Sequence, residues 1–192
     1  MHALVTWGLG VTQCNYAAIN LNRVNQLVPK KERLILYNSL VAPHLNYADT
    51  IWGGCGSKNT NKLQRTQNAA VKSMLGRKKQ DSATEALKTA NLLPLEEKRR
   101  IHEAVYAHKA LKGNLPTAIC RQYQQQQSQM NNRSTARQVL TIPIHRTELY
   151  KKSPLYRTIK TWNSIPDDIK HTETTTSFRN KFQSHLLNTF KT

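Results

Sequence analysis

Arg33-Leu-Ile-Leu-Tyr-Asn-Ser-Leu-Val-Ala-Pro-His-Leu-Asn-Tyr47, running on to Ile51-Trp52, is the stretch whose reading decides the fold. Leu34, Tyr37, Val41, Leu45, Ala48 and Trp52 recur at threes and fours, the spacing of one buried helical face. Pro43 should kink that helix, because it has no N–H to donate and its ring crowds the preceding turn. The next segment, Lys58 to Gly76, repeats the period with the opposite chemistry. Lys58, Lys62, Arg65 and Lys72 stand four, three and seven residues apart, which at about 100° per residue keeps them on one side, while Leu63, Ala70 and Met74 lie opposite.

Helical punctuation continues outward from this pair, with helical signals read from Asn20 to Gly113. Ser82 and Glu85 fit a capping box ahead of Ala86, Leu87 and Ala90. Pro94, with Glu96 and Glu97 after it, starts another helix whose inward stripe is Ile101, Ala104, Val105, His108 and Leu111, and Gly113 stops it. From Leu115 to Ile144 the composition turns polar, with a glutamine run at Gln124 to Gln127, and reads as a linker. Leu140, Ile142 and Ile144 alternate at its far end like a short edge segment. Two helices follow: Pro154 to Asn163, and Ser177 to Phe190 with Thr176 as N-cap. The expected fold is mainly α: a helical region over 1–114, a polar Gln-rich linker over 115–144 and a small C-terminal helical region over 145–192.

Several blocks, in their order, resemble the region downstream of the polymerase palm in reverse transcriptases of LINE-type, non-LTR retrotransposons. The opening stretch is similar to that family's "lYkSlv.P.l.Y...vW" pattern, and Lys62-Leu-Gln-Arg-Thr-Gln-Asn-Ala-Ala70 to its "kLq..Qn.a.r". Leu92-Leu-Pro-Leu-Glu-Glu-Lys-Arg-Arg100 resembles "L..L.eRR", Trp162-Asn-Ser-Ile-Pro166 "WNsLP", and Ser177-Phe-Arg-Asn-Lys-Phe182 "sFk..l". The resemblance covers about Asn20 to Leu187 and is weakest through the polar middle. It implies that the N-terminal helical region is thumb-like and that the chain is a non-catalytic C-terminal fragment of an RNA-directed DNA polymerase, encoded as a truncated reading frame. In such an enzyme the thumb holds the template-primer duplex by its backbone while the palm adds nucleotides. The missing palm of a parent polyprotein then joins RNA or DNA as an expected partner.

Composition agrees with an anionic partner: 29 Lys and Arg against 11 Asp and Glu give a formal charge of +18 over 192 residues, 38% of them hydrophobic. Cys14, Cys55 and Cys120 are odd in number and far apart, which suits reduced thiols rather than a disulfide framework. Met1 to Val11 makes a poor signal peptide, and no apolar run is long enough for a bilayer, so an intracellular protein of nucleus or cytoplasm, neither secreted nor membrane-bound, is expected.

Tyr47-Ala-Asp-Thr50 invites comparison with the Tyr-x-Asp-Asp hairpin that holds catalytic magnesium in polymerases. Two-metal phosphoryl transfer needs clustered carboxylates, yet Thr50 stands where the second acid belongs. The resemblance also places Tyr47 in the thumb, so a structural role is expected for Tyr47 and a cap or surface role for Asp49. His44, Asp49 and Cys55 have no metal-ligand spacing, and Cys120 with His145 makes no zinc knuckle, so no metal, cofactor or catalytic residue is assigned. The binding residues assigned are Lys58, Lys62, Arg65, Lys72, Arg77, Lys78 and Lys79, seven cations with no acid between Asp49 and Asp81. A merely solvated face would normally intersperse acids. Lys98, Arg99 and Arg100 are mixed with Glu96, Glu97 and Glu103, which suits pairing within the helix. Trp52 and Trp162 fall on apolar faces and are expected to pack rather than stack on bases. Two other classes remain open: a freestanding basic nucleic-acid-binding module, and a relic product without selected function.

Overall fold

Helix begins well before Asn20 in the structure, a computed structural model that describes residues 2–25, 27–124, 139–144 and 146–192. Helix α1 (His2–Val24) buries Cys14 and Leu21. The decisive stretch forms α2 (Arg33–Leu36), a π turn over Tyr37–Val41 and α3 (Ala42–Asn46). Pro43 explains the π turn: a proline cannot donate to the i−4 carbonyl, and widening the turn ahead of it removes the clash. The Ala42 N–H then bonds the Tyr37 carbonyl five residues back, and the Ser39 hydroxyl bonds the Ile35 carbonyl. Tyr37, Val41 and Leu45 are buried as the period predicted, but Leu34 is exposed and Ala48 takes a left-handed φ of 49° that ends the run. After it come α4 (Asp49–Trp52) and α5 (Ser57–Leu75).

Gly76 stops α5 at φ 69°, with Arg77 N–H bonding Lys72 O and Gly76 N–H bonding Ser73 O, a Schellman closure that a Cβ would strain. Helix α6 (Ala83–Thr89) is capped by Ser82, whose Oγ accepts from Glu85 N–H. Helix α7 (Leu95–Leu111) ends at Gly113, φ 75°. The remaining helices are α8 (Thr117–Gln124), α9 (Glu148–Lys151), α10 (Pro154–Asn163), α11 (Asp167–Lys170) and α12 (Thr175–Lys191). The fold is mainly α, and among the described residues no helix is long and apolar enough to cross a membrane.

Two compact units result: Met1–Glu97 with Phe190–Thr192, and Lys98–Thr189. The division falls after Glu97 rather than after residue 114. In the first unit α1 packs on α5, and Cys14, Leu21, Tyr37, Val41, Leu45, Val71 and Met74 form the core. An amide network ties this core to the chain entering α7. Gln67, 1% exposed, donates to Leu93 O at 3.0 Å, while Gln64 Oε1 accepts from Leu95 N–H at 2.9 Å, satisfying a first-turn donor that a helix start leaves open. The "Q..Q" and "L..L" blocks thus meet because one set of amides pairs the other set's backbone.

The second unit centres on Trp162, Phe178 and Phe182, with His108 stacked on Phe178 at 4.5 Å and its Nε2 3.0 Å from Thr172 O. Ile101, Ala104 and His108 are buried as expected, whereas Val105 and Leu111 are only partly so. Glu103 does not pair within its helix. Its carboxylate accepts from Arg157 Nε at 2.8 Å and from Thr161 Oγ1 at 2.7 Å. The polar linker over 115–144 is corrected at its start: Thr117–Gln124 is helical, because Cys120 and Tyr123 supply one buried face. The glutamine run from 125 on and the rest up to residue 138 lie outside the described residues. The N-cap of α12 is Thr174, whose Oγ1 accepts from Ser177 N–H, rather than Thr176.

Candidate nucleic-acid interface

Helix α5 sorts its residues by angle. Leu63, Ala70 and Met74 face the core, so Lys58, Lys62 and Arg65 are carried outward and exposed, while Lys72 is half-buried. Beyond the Gly76 stop, Arg77 is half-buried and Lys78 and Lys79 are exposed. Lys72 Nζ donates to Lys79 O at 2.8 Å and Arg77 Nη2 to Thr89 Oγ1 at 2.7 Å, so two of the cations are held in place by neutral groups that leave their charge uncancelled. Asp81 spends one carboxylate oxygen on the Lys78 N–H, 2.8 Å away, closing the local turn.

Between α1 and α5 lies an open groove of about 960 Å³. Arg65, Lys72, Arg77 and Lys79 line it; Lys58, Lys62 and Lys78 do not. The opposite wall was not anticipated from sequence: Asn15, Ala18, Ile19 and Asn22 of α1. Asn15 and Asn22 are two helical turns apart and meet Thr66 and Ser73, which share that spacing on α5. That matched interval was the available signal, and it was obscured by reading helix only from Asn20. Among the described residues no carboxylate and no aromatic ring lines the groove.

No family model, curated protein or solved structure matches the chain.

The other expected sites resolve as follows. Asp49 is 4% exposed in the first turn of α4, so a surface role is excluded, and the residue capping that turn is Ala48. Tyr47 is 78% exposed and contributes its carbonyl, which accepts from the Trp52 indole N–H, rather than its ring. Cys55 Sγ lies 3.6 Å from Thr60 Oγ1, and Cys120 Sγ donates to Leu115 O at 3.1 Å. His145 lies outside the described residues. Among the described residues no three of His, Cys, Asp and Glu come together as metal ligands. Trp162 packs in its core at 1% exposure, and Trp52 is partly buried against the first unit's core.

Proposed function

We propose that the chain is the thumb and C-terminal part of a non-LTR retrotransposon reverse transcriptase, one that contacts template-primer nucleic acid through phosphates and adds no nucleotides itself. The observation that supports this reading most is the exposed face of α5, where Lys58, Lys62 and Arg65 stand free of any carboxylate partner among the described residues and Lys72 extends the row. Phosphate contacts position a duplex without reading its sequence, and A-form or hybrid helices are recognised largely by shape and backbone. An intracellular setting, nuclear or cytoplasmic, and a palm on the same parent polyprotein go with this reading.

The test is a salt titration of binding to an RNA–DNA hybrid. Affinity falls steeply with salt, with a slope near 0.9 per phosphate contact for B-form DNA and about 0.7 for single strands. Replacing Lys62, Arg65 and Lys72 together by Gln lowers both affinity and slope while helical content holds, since Gln propagates a helix about as well as Lys. Replacing Lys151, Lys152 and Lys160 is the charge-matched control. Equal loss in the control would assign binding to net charge and defeat the thumb reading.

A further inference from the structure

We infer that the α1–α5 groove seats one nucleic-acid strand with its phosphodiester backbone inward and its bases outward, an inference that rests on the nucleic-acid reading above. The argument comes from the asparagines. Asn15 Oδ1 accepts from Thr66 Oγ1 at 2.7 Å, Asn22 Oδ1 from Ser73 Oγ at 2.7 Å, and Asn68 Oδ1 from Gln64 Nε2 at 2.8 Å. Each amide oxygen therefore has one lone pair committed to the protein, while the Nδ2 donor takes no part in these three bonds. Ser73 is fixed in turn, because its Oγ accepts from Asn25 Nδ2 at 2.9 Å.

Both walls thus donate: cations from α5 and its following turn, amide N–H groups from α1 and α5. Base edges mix donors with acceptors, whereas phosphate oxygens only accept, so a donor lining complements the backbone and not the bases. None of the described lining residues is aromatic, so none of them offers a stacking platform for bases. Ala18 and Ala69 contribute short side chains to its lining.

The test uses the full chain, a labelled single-stranded oligonucleotide and an abasic strand of equal length, with binding read by fluorescence anisotropy. The abasic strand binds within about twofold of the base-bearing one, since phosphate contacts carry the affinity. Ala69→Leu, neutral, exposed and helix-compatible, obstructs the floor and weakens both strands by about tenfold, the equivalent of one charge-assisted contact. Circular dichroism checks that the variant keeps its helices. An abasic strand bound more than about tenfold weaker, or an Ala69→Leu variant that binds as wild type, overturns the seat. If the Lys62, Arg65 and Lys72 triple still lowers affinity and salt slope in that case, only the groove is lost; if no nucleic acid binds in a salt-dependent way, the underlying reading goes with it.

Discussion

The carboxamide of Asn163 engages both main-chain groups of Leu140: its Oδ1 accepts from Leu140 N–H at 2.9 Å and its Nδ2 donates to Leu140 O at 2.8 Å. One side chain at the end of α10 therefore does for Leu140 what a neighbouring strand would. It holds the Leu140 side chain at 2% exposure, while Ile144 stands fully in solvent.

Asn163→Ala removes both of these hydrogen bonds, at about 1–3 kcal/mol for each buried group left unpaired. Urea denaturation should show the loss. A change below about 0.5 kcal/mol, the range of ordinary surface substitutions, would show that the clasp is dispensable.

Glu103 and Arg157 form an ion pair with side chains 8% and 15% exposed. Glu103→Leu takes the carboxylate from beside the Arg157 guanidinium, so a loss of about 3–5 kcal/mol is expected, whereas Glu103→Leu with Arg157→Met removes both charges and should recover most of it. Thermal unfolding of the single and double variants gives the comparison. No recovery in the double variant would count against an uncompensated charge as the cause.

Stability should decline in alkali. Burial raises the Cys14 thiol to about 11 and the Tyr37 phenol to about 12, the latter opposed by its bond from Gln67. Burial likewise raises Tyr123 to about 12, opposed by its bond with Thr158. Each raised group keeps its proton longer folded than unfolded, so the unfolded chain loses protons first and stability falls as pH rises from about 9 toward 12. Tyr37→Phe should flatten the decline above pH 10, the phenol's ordinary pKa. Denaturation midpoints across pH measure this; an unchanged slope in the variant would exclude Tyr37 as a contributor.

The chain supplied with primed RNA template, magnesium and nucleotides should extend no primer. Asp49 lies buried with Thr50 beside it, without the second acid that two-metal transfer requires. Extension that Asp49→Ala abolishes would overturn the thumb assignment.

The helices were legible where periodicity and punctuation coincide: Ser82, Pro94, Gly76 and Gly113 all mark ends that the backbone respects. The α5 cations were legible because charge without nearby acids stands out in a linear text. Their counterparts on α1 were not, since an asparagine carries no period of its own and acquires a direction only when Thr66 or Ser73 claims its oxygen. Arg157 was hidden from Glu103 by a sequence separation of 54, which no local pattern bridges. Asp49 was read as a cap or surface residue because sequence does not reveal the left-handed Ala48 that turns the chain ahead of it.

The π turn ahead of Pro43 acts as a phase corrector. Residues four apart on an α-helix drift about 40° per step, so Tyr37, Val41 and Leu45 would wind off a common line. The wider π coil rotates the chain less per residue and brings them back, which is why all three are buried. A π turn holds about one residue more than an α turn, so deleting Asn38 would restore an ordinary coil and set Tyr37, Val41 and Leu45 three and four positions apart, still on one helical face. Inserting a residue into α3 after Val41, where no widened turn absorbs it, would instead rotate Leu45 by about 100° away from that face.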